Sequence, residues 1–272
     1  MSMAWKSFGD RVWLADEEMH RKLAAQMNSD MSERPHIERV LNNHDATCYT
    51  QGMFLVNKTL MYESCGGYGA SRLRVLDLET GISIRETKIP KELFAEGIER
   101  VGNEILMLTW KEKKLLTFDL ETLAPKDEYS FRTTTGQGWG IASNGTTLVV
   151  TDGSAWLHFW EPGTLRELYR LPVMDGTRPV RFLNEIEFVS RYEIVANVYF
   201  QERLARIDTR TGEVRDWVDL SGVLSTYGDP TGDPEVMNGV AYESGILTDD
   251  GHSRLYVTGK RWKSLFQILV PF

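Results

Sequence analysis

A short pattern returns five times along the chain: a polar or aromatic residue, then a small or acidic one, then an aliphatic one. It reads Gln51-Gly52-Met53, Glu96-Gly97-Ile98, Trp139-Gly140-Ile141, Asn184-Glu185-Ile186 and Asn238-Gly239-Val240, at separations of 45, 43, 45 and 54 residues. That period is the length of a four-stranded propeller blade rather than of an ankyrin or leucine-rich repeat. A second apolar run follows each copy, as in Ile105-Leu106-Met107-Leu108, and Asn57-Lys58, Gly102-Asn103 and Asn144-Gly145 lie between the runs as hairpin turns. A third register is a turn between the outer strands: Asp77-Leu78-Glu79-Thr80-Gly81, Asp119-Leu120-Glu121-Thr122-Leu123, Glu161-Pro162-Gly163-Thr164-Leu165 and Asp208-Thr209-Arg210-Thr211-Gly212. A β-sandwich would not need three coincident periods. The expected fold is therefore all-β, a five-bladed β-propeller over residues 36–272, with the first strand of every blade lining a central channel.

Residues 1–35 stand outside the repeat as a short helical extension, with Leu14, Glu18, Met19, Leu23 and Met27 at helical spacing. The segment His36–Val40 alternates weakly and suits an outer strand that closes the last blade's sheet. Eight Trp are available for wedge-shaped contacts between blades. Cys48 and Cys65 flank the first hairpin and could approach each other across it. Two cysteines in 272 residues are no secretory framework, however, so they read as free thiols. A net charge of −8 disfavours a nucleic-acid footprint. No stretch is long and apolar enough for a membrane span, and the amino terminus lacks the pattern of a signal peptide. These features suggest a cytosolic monomer with no nucleic-acid or membrane partner, secretion from a longer precursor aside. The acidic pair in the Tyr227–Pro234 loop lacks the ligand alternation of a calcium-binding loop.

Over residues 44–270 the chain resembles the plant and bacterial type of glutaminyl cyclase. The resemblance rests on Tyr49-Thr50-Gln51-Gly52, Tyr62-Glu63-Ser64, Phe94-Ala95-Glu96-Gly97, Leu108-Thr109-Trp110-Lys111 and Gly138-Trp139-Gly140. It continues through Thr151-Asp152-Gly153-Ser154, Leu183-Asn184-Glu185, Ala196-Asn197-Val198, Asn238-Gly239 and Val257-Thr258-Gly259-Lys260 with Trp262, all in the family's order. It implies a five-bladed propeller that converts the amino-terminal glutamine of peptides or proteins into pyroglutamate with release of ammonia. Three departures are Ala95 in the family's Phe-Gly-Glu-Gly motif, Tyr49 where Phe is usual, and Tyr199 where Trp is usual, the last leaving part of one wall open.

The chemistry suits the residues. The substrate's α-amine, with a reference pKa of roughly 7.7–8, is mostly protonated at neutral pH, so a base must take its proton before it can attack. The leaving amide nitrogen then needs a proton, and one carboxyl can serve both steps. Glu96 is the expected acid–base group, among Phe94, Trp110 and Trp139, where an apolar environment would raise its pKa. The resemblance implies that Lys260 and Asn184 stabilise the oxyanion, a role their donors suit. By the same resemblance, Gln51 is expected to hold the substrate's amide or amine, and Tyr49, Phe94, Trp110, Trp139 and Tyr199 to enclose it. Asn238 reads as a turn or bulge residue, and Glu63, Asp152 and Glu185 as structural hydrogen-bonding groups.

His20, His36, His44, His158 and His252 are scattered, and the cysteines are not arranged for zinc, so no metal ligands are assigned and no cofactor is required. The resemblance allows a structural calcium ion on the propeller axis, held by main-chain carbonyls. Two other classes compete: a metal-dependent, lactonase-like propeller, for which only Glu96 and the adjoining Glu185 offer axial carboxylates, and a noncatalytic binding propeller, which needs no ordered small-molecule pocket.

Overall fold

The computed structural model describes residues 34–247 and 252–272. The helix expected within residues 1–35 lies outside them. Five four-stranded antiparallel sheets follow the predicted period. Their inner strands are Tyr49–Leu55, Ala95–Val101, Ile141–Ser143, Leu183–Ser190 and Met237–Leu247, in blades one to five. Each inner strand packs on the next, and the fifth packs on the first, which closes the ring. The expected strap is present: His36–Leu41 pairs with Leu265–Val270 as the outermost strand of blade five. Ring closure is thus made by hydrogen bonds between the two ends of the described domain.

A propeller has no central core, and its apolar side chains fill the spaces between sheets instead. Five clusters occupy the five interfaces. Phe54, Leu73 and Val75 meet Ile98, Ile105 and Phe118 between blades one and two, and Met53, Met61 and Leu76 meet Ala241, Tyr256 and Leu265 where blade five returns to blade one. Aliphatic residues carry most of this burial, each fully buried one contributing about 1.5–3 kcal/mol. Trp160, Trp217 and Trp262 join the clusters, whereas Trp110 and Trp139 are given to the site described below. Polarity rises outward, so that the outer strand Pro125–Ser130 is exposed along its whole length. Turn chemistry matches the sequence: Asn57 Oδ1 accepts from Thr59 N and Leu60 N, and Asp77 Oδ1 accepts from Glu79 N and Thr80 N.

The recurring tripeptide is a structural device. In blades one, two, four and five the ladder between the first two strands slips at this point, leaving Gln51, Glu96-Gly97, Asn184-Glu185 and Asn238-Gly239 as bulges. The small second residue lets neighbouring inner strands touch backbone to backbone. A Cβ on Gly97 would fall 2.5 Å from Trp139 O, and one on Gly140 would fall 2.3 Å from Asn184 O. Gly140→Ala is therefore expected to cost about 1–3 kcal/mol through overpacking against a backbone that cannot yield. Melting curves at neutral pH check this, and an unchanged Tm would mean that the ring is looser than described.

One expectation is corrected. Cys48 and Cys65 form a disulfide, with Cα atoms 5.0 Å apart. Cys65 pairs with Thr50 in the first hairpin, and Cys48 lies just ahead of that strand, so the ladder brings the two thiols together. The cysteine count argued about compartment, whereas strand register decided the pairing. The acidic pair of the Tyr227–Pro234 loop serves local structure: Asp229 Oδ1 accepts from Thr231 N at 2.8 Å, and Asp233 pairs with Arg261 at 3.1 Å. Among the described residues no helix is long and apolar enough to cross a membrane.

Candidate active site

All nine residues expected to form the site lie on or beside the five inner and second strands, at one end of the ring. Tyr49 meets Phe94 edge-on at 6.3 Å, and Phe94 meets Trp110 at 5.5 Å between ring centroids. On the other side Trp139 meets Tyr199 edge-on at 5.9 Å. Two polar residues join these arcs into a collar. Lys260 Nζ lies 4.8 Å from the ring centres of both Tyr49 and Tyr199, and Gln137 Oε1 accepts from Trp110 Nε1 at 2.5 Å and from Trp139 Nε1 at 3.0 Å. Five blades thus supply one continuous wall.

The backbone at this end is held in uncommon conformations. The loops after the second strands of blades four and five place Phe200 and Arg261 at φ of 67° and 61°. Bulky residues in the left-handed region cost on the order of 1–3 kcal/mol each and persist where surrounding structure dictates them. These two directly follow Tyr199 and Lys260, whose side chains they help aim.

Glu96 stands on the bulge of blade two and is 5% exposed. Burial pushes its carboxyl well above the ordinary range; Lys260 opposes this and the Glu112 carboxylate adds to it. Its main chain is fixed from the neighbouring blade, since Ser64 Oγ donates to Glu96 O at 2.6 Å. Lys260 is buried too, and desolvation lowers its ammonium to about 8 against the pull of Glu96 and Glu235. Asn184 is fixed in the same manner as Glu96: Thr151 Oγ1 donates to its carbonyl at 2.7 Å, while its side-chain Oδ1 is buried without a hydrogen-bond partner. An unsatisfied buried amide oxygen costs free energy and has capacity to accept a further hydrogen bond.

Gln51 is 1% exposed and is oriented from blade five. Asn238 Nδ2 donates to Thr50 O at 3.0 Å, to Gln51 O at 3.2 Å and to Gln51 Oε1 at 3.4 Å. Asn238, expected as a turn or bulge residue, does stand on the blade-five bulge, and from there it also aims the glutamine. Glu63 and Asp152 are structural as expected. Glu63 binds Arg74, His44 and Thr50 in a buried network that holds its carboxyl well below the usual range despite burial. Asp152 accepts from Thr135 N at 2.8 Å and faces His158. Glu185 crosses the axis: its Oε1 accepts from Met53 N at 3.1 Å and its Oε2 has no partner.

Sequence reasoning missed three features. Gln137 precedes the third tripeptide and gave no signal of its own. Glu99 and Glu187 lie a few residues beyond Glu96 and Asn184 on their strands, and each accepts from the next blade's inner strand, Glu99 from Ser143 N at 2.7 Å and Glu187 from Tyr242 N at 3.5 Å. Burial raises both carboxyls, and their mutual repulsion adds to this for Glu187. Strand alternation from the tripeptide could have found them.

Taken together, the arrangement offers a buried carboxyl whose pKa burial raises, an ammonium beside it, two carboxamides with hydrogen-bonding capacity to spare, and an aromatic enclosure. Such a set can move a proton and stabilise an oxyanion on a small ligand. Comparisons with known proteins bear on what that ligand is. A profile of the glutamine cyclotransferase family matches residues 15–270. The glutaminyl-peptide cyclotransferase of Arabidopsis thaliana is 34% identical over 230 residues, which span 83% of this chain and 68% of that protein. The crystal structure of Myxococcus xanthus glutaminyl cyclase matches with a TM-score of 0.75 at 29% identity, covering 88% of this chain and all of that one.

Proposed function

The chain belongs to the glutamine cyclotransferase family, and from that premise we propose that Glu96 carries the proton in the cyclisation that its collar encloses. The enzyme is a glutaminyl-peptide cyclotransferase: it closes the amino-terminal glutamine of a peptide or protein into pyroglutamate and releases ammonia. The observation that supports the assignment of Glu96 is a buried carboxyl with a raised pKa beside the equally buried Lys260.

The steps follow from elementary chemistry. An ammonium and a carboxylate brought together in a low-dielectric pocket favour the neutral pair, so the proton passes from the substrate's α-amine to Glu96. The amine's lone pair then attacks the γ-carbonyl carbon, and the carbonyl oxygen takes the negative charge. Lys260, held over two tyrosine rings, and Asn184 stabilise that oxygen, donors that already point at the developing charge being worth more than mobile water. Glu96 returns the proton to the amide nitrogen, the carbon–nitrogen bond breaks, and ammonia leaves. Gln51 turns its Oε1 toward Asn238 and keeps its amide donors for the substrate. Tyr49, Phe94, Trp110, Trp139 and Tyr199 exclude water and hold the glutamine side chain folded toward its own amine, which is the entropic part of the barrier.

No step in this scheme calls on a metal. For an axial calcium ion, the carbonyls of Gln51, Glu96, Trp139 and Asn184 already accept hydrogen bonds. Among the described residues Glu185, Glu99 and Glu187 do not gather their carboxylate oxygens into one metal-binding group, so the side chains present do not form a site for such a hard cation. The buried Cys48–Cys65 bond supports maturation in an oxidising compartment. The functional test is incubation with a peptide beginning in glutamine, following ammonia and the mass loss of one ammonia. Acceleration over buffer that survives a metal chelator is expected, and no acceleration would sink the reading.

A further inference from the structure

We propose that Gln137 is a positioning residue that holds the Trp110 and Trp139 indoles as a single wall of the pocket and through them sets how the substrate's glutamine is held. The inference rests on reading the collar as the glutamine pocket. Trp110 comes from blade two and Trp139 from the inner edge of blade three, so their relative placement depends on what joins them. An indole N–H can only donate, and both point at one acceptor, Gln137 Oε1, at 2.5 and 3.0 Å. Two converging donors fix which edge of the carboxamide faces the rings.

The clamp is itself anchored. Thr133 Oγ1 donates to Gln137 O at 2.7 Å, and Gln137 N donates to Thr135 Oγ1 at 3.3 Å. Thr135 is held in turn, its N–H donating to Asp152 Oδ2 and its hydroxyl to Asp152 O, each at 2.8 Å. Asp152 is buried beside His158, 3.4 Å away. On the other side Gly138 N donates to Trp110 O at 3.0 Å. A chain of hydrogen bonds thus runs from the interior of blade three to both indoles. Cyclisation requires the glutamine side chain to fold onto its own amine, and small displacements of the enclosing rings penalise that geometry steeply.

Gln137→Met keeps the length and removes the acceptor. It is expected to lower kcat/KM for a glutaminyl peptide by about tenfold through displacement of the two indoles, with most of the change in KM, and to lower the Tm slightly through the loss of two partly exposed indole bonds. Gln137→Glu restores an acceptor oxygen and is expected to recover most of the loss. In a Trp139→Phe background, which lacks one of the two donors, the Gln137→Met effect is expected to shrink. Wild-type turnover with Gln137→Met indistinguishable from it would overturn the proposal, as would equal losses in the Met and Glu variants. A wild-type protein without turnover would overturn the functional reading instead.

Discussion

Replacing Glu96 by Gln is expected to lower kcat by about 10²- to 10⁴-fold, the range for a positioned acid–base group, and to leave the fold intact or stabilise it. The substitution keeps shape and hydrogen-bonding capacity and removes only the ionisable proton. Its effect on stability has a definite sign. The folded pKa of Glu96 lies above its unfolded value, so its stability contribution is present below the unfolded pKa and is lost as pH rises through the folded one. The Tm advantage of Glu96→Gln should therefore widen as the pH is raised from acid to neutral and beyond. Steady-state kinetics with a glutaminyl peptide and melting curves at several pH values measure both effects. Retained kcat would remove Glu96 as the acid–base group.

Lys260→Met is expected to lower kcat by about 10²- to 10³-fold, as for loss of an oxyanion donor, while raising stability at neutral pH. Here the folded pKa, about 8, lies below the ordinary 10.5. Such a group's contribution is present above the unfolded pKa and lost as pH falls through the folded one, so near pH 7 the buried ammonium costs about 3 kcal/mol. The same titration shapes the rate. Deprotonation of the substrate amine lifts the rate as pH rises, and loss of the Lys260 charge near pH 8 cuts it off, giving a bell. In Lys260→Arg, whose guanidinium stays charged, the residual activity should lose its alkaline limb. An alkaline limb that persists in that variant would assign it to another group.

Site and stability pull against each other in a way the ring explains. Glu96, Lys260 and Asn184 are buried with incomplete compensation, and the inter-blade clusters and the closing strap offset that cost elsewhere. Gly140 and Gly97 belong to the same balance. They let the inner strands approach until residues roughly 45 positions apart in sequence converge at one end of the ring.

Five blades, their antiparallel order and the closing strap were legible in the sequence, because each depends on a pattern that recurs or on a short motif, and the same motifs placed nine candidate site residues at one end of the ring. A blade is a local unit whose turns and alternation are written within a few dozen residues. The motif residues at the five blade positions also differ in type, so distinct roles could be proposed for them before their positions were known. What tertiary structure alone decided are contacts between groups with no local signature. Cys48 meets Cys65 because of hairpin register; Glu185 reaches Met53 across the axis; Glu99 and Glu187 face one another from separate blades; Gln137 joins two indoles from neighbouring blades. Each of these pairings is set by how the ring closes, and closure is a property of all five blades together, which no single stretch of sequence encodes.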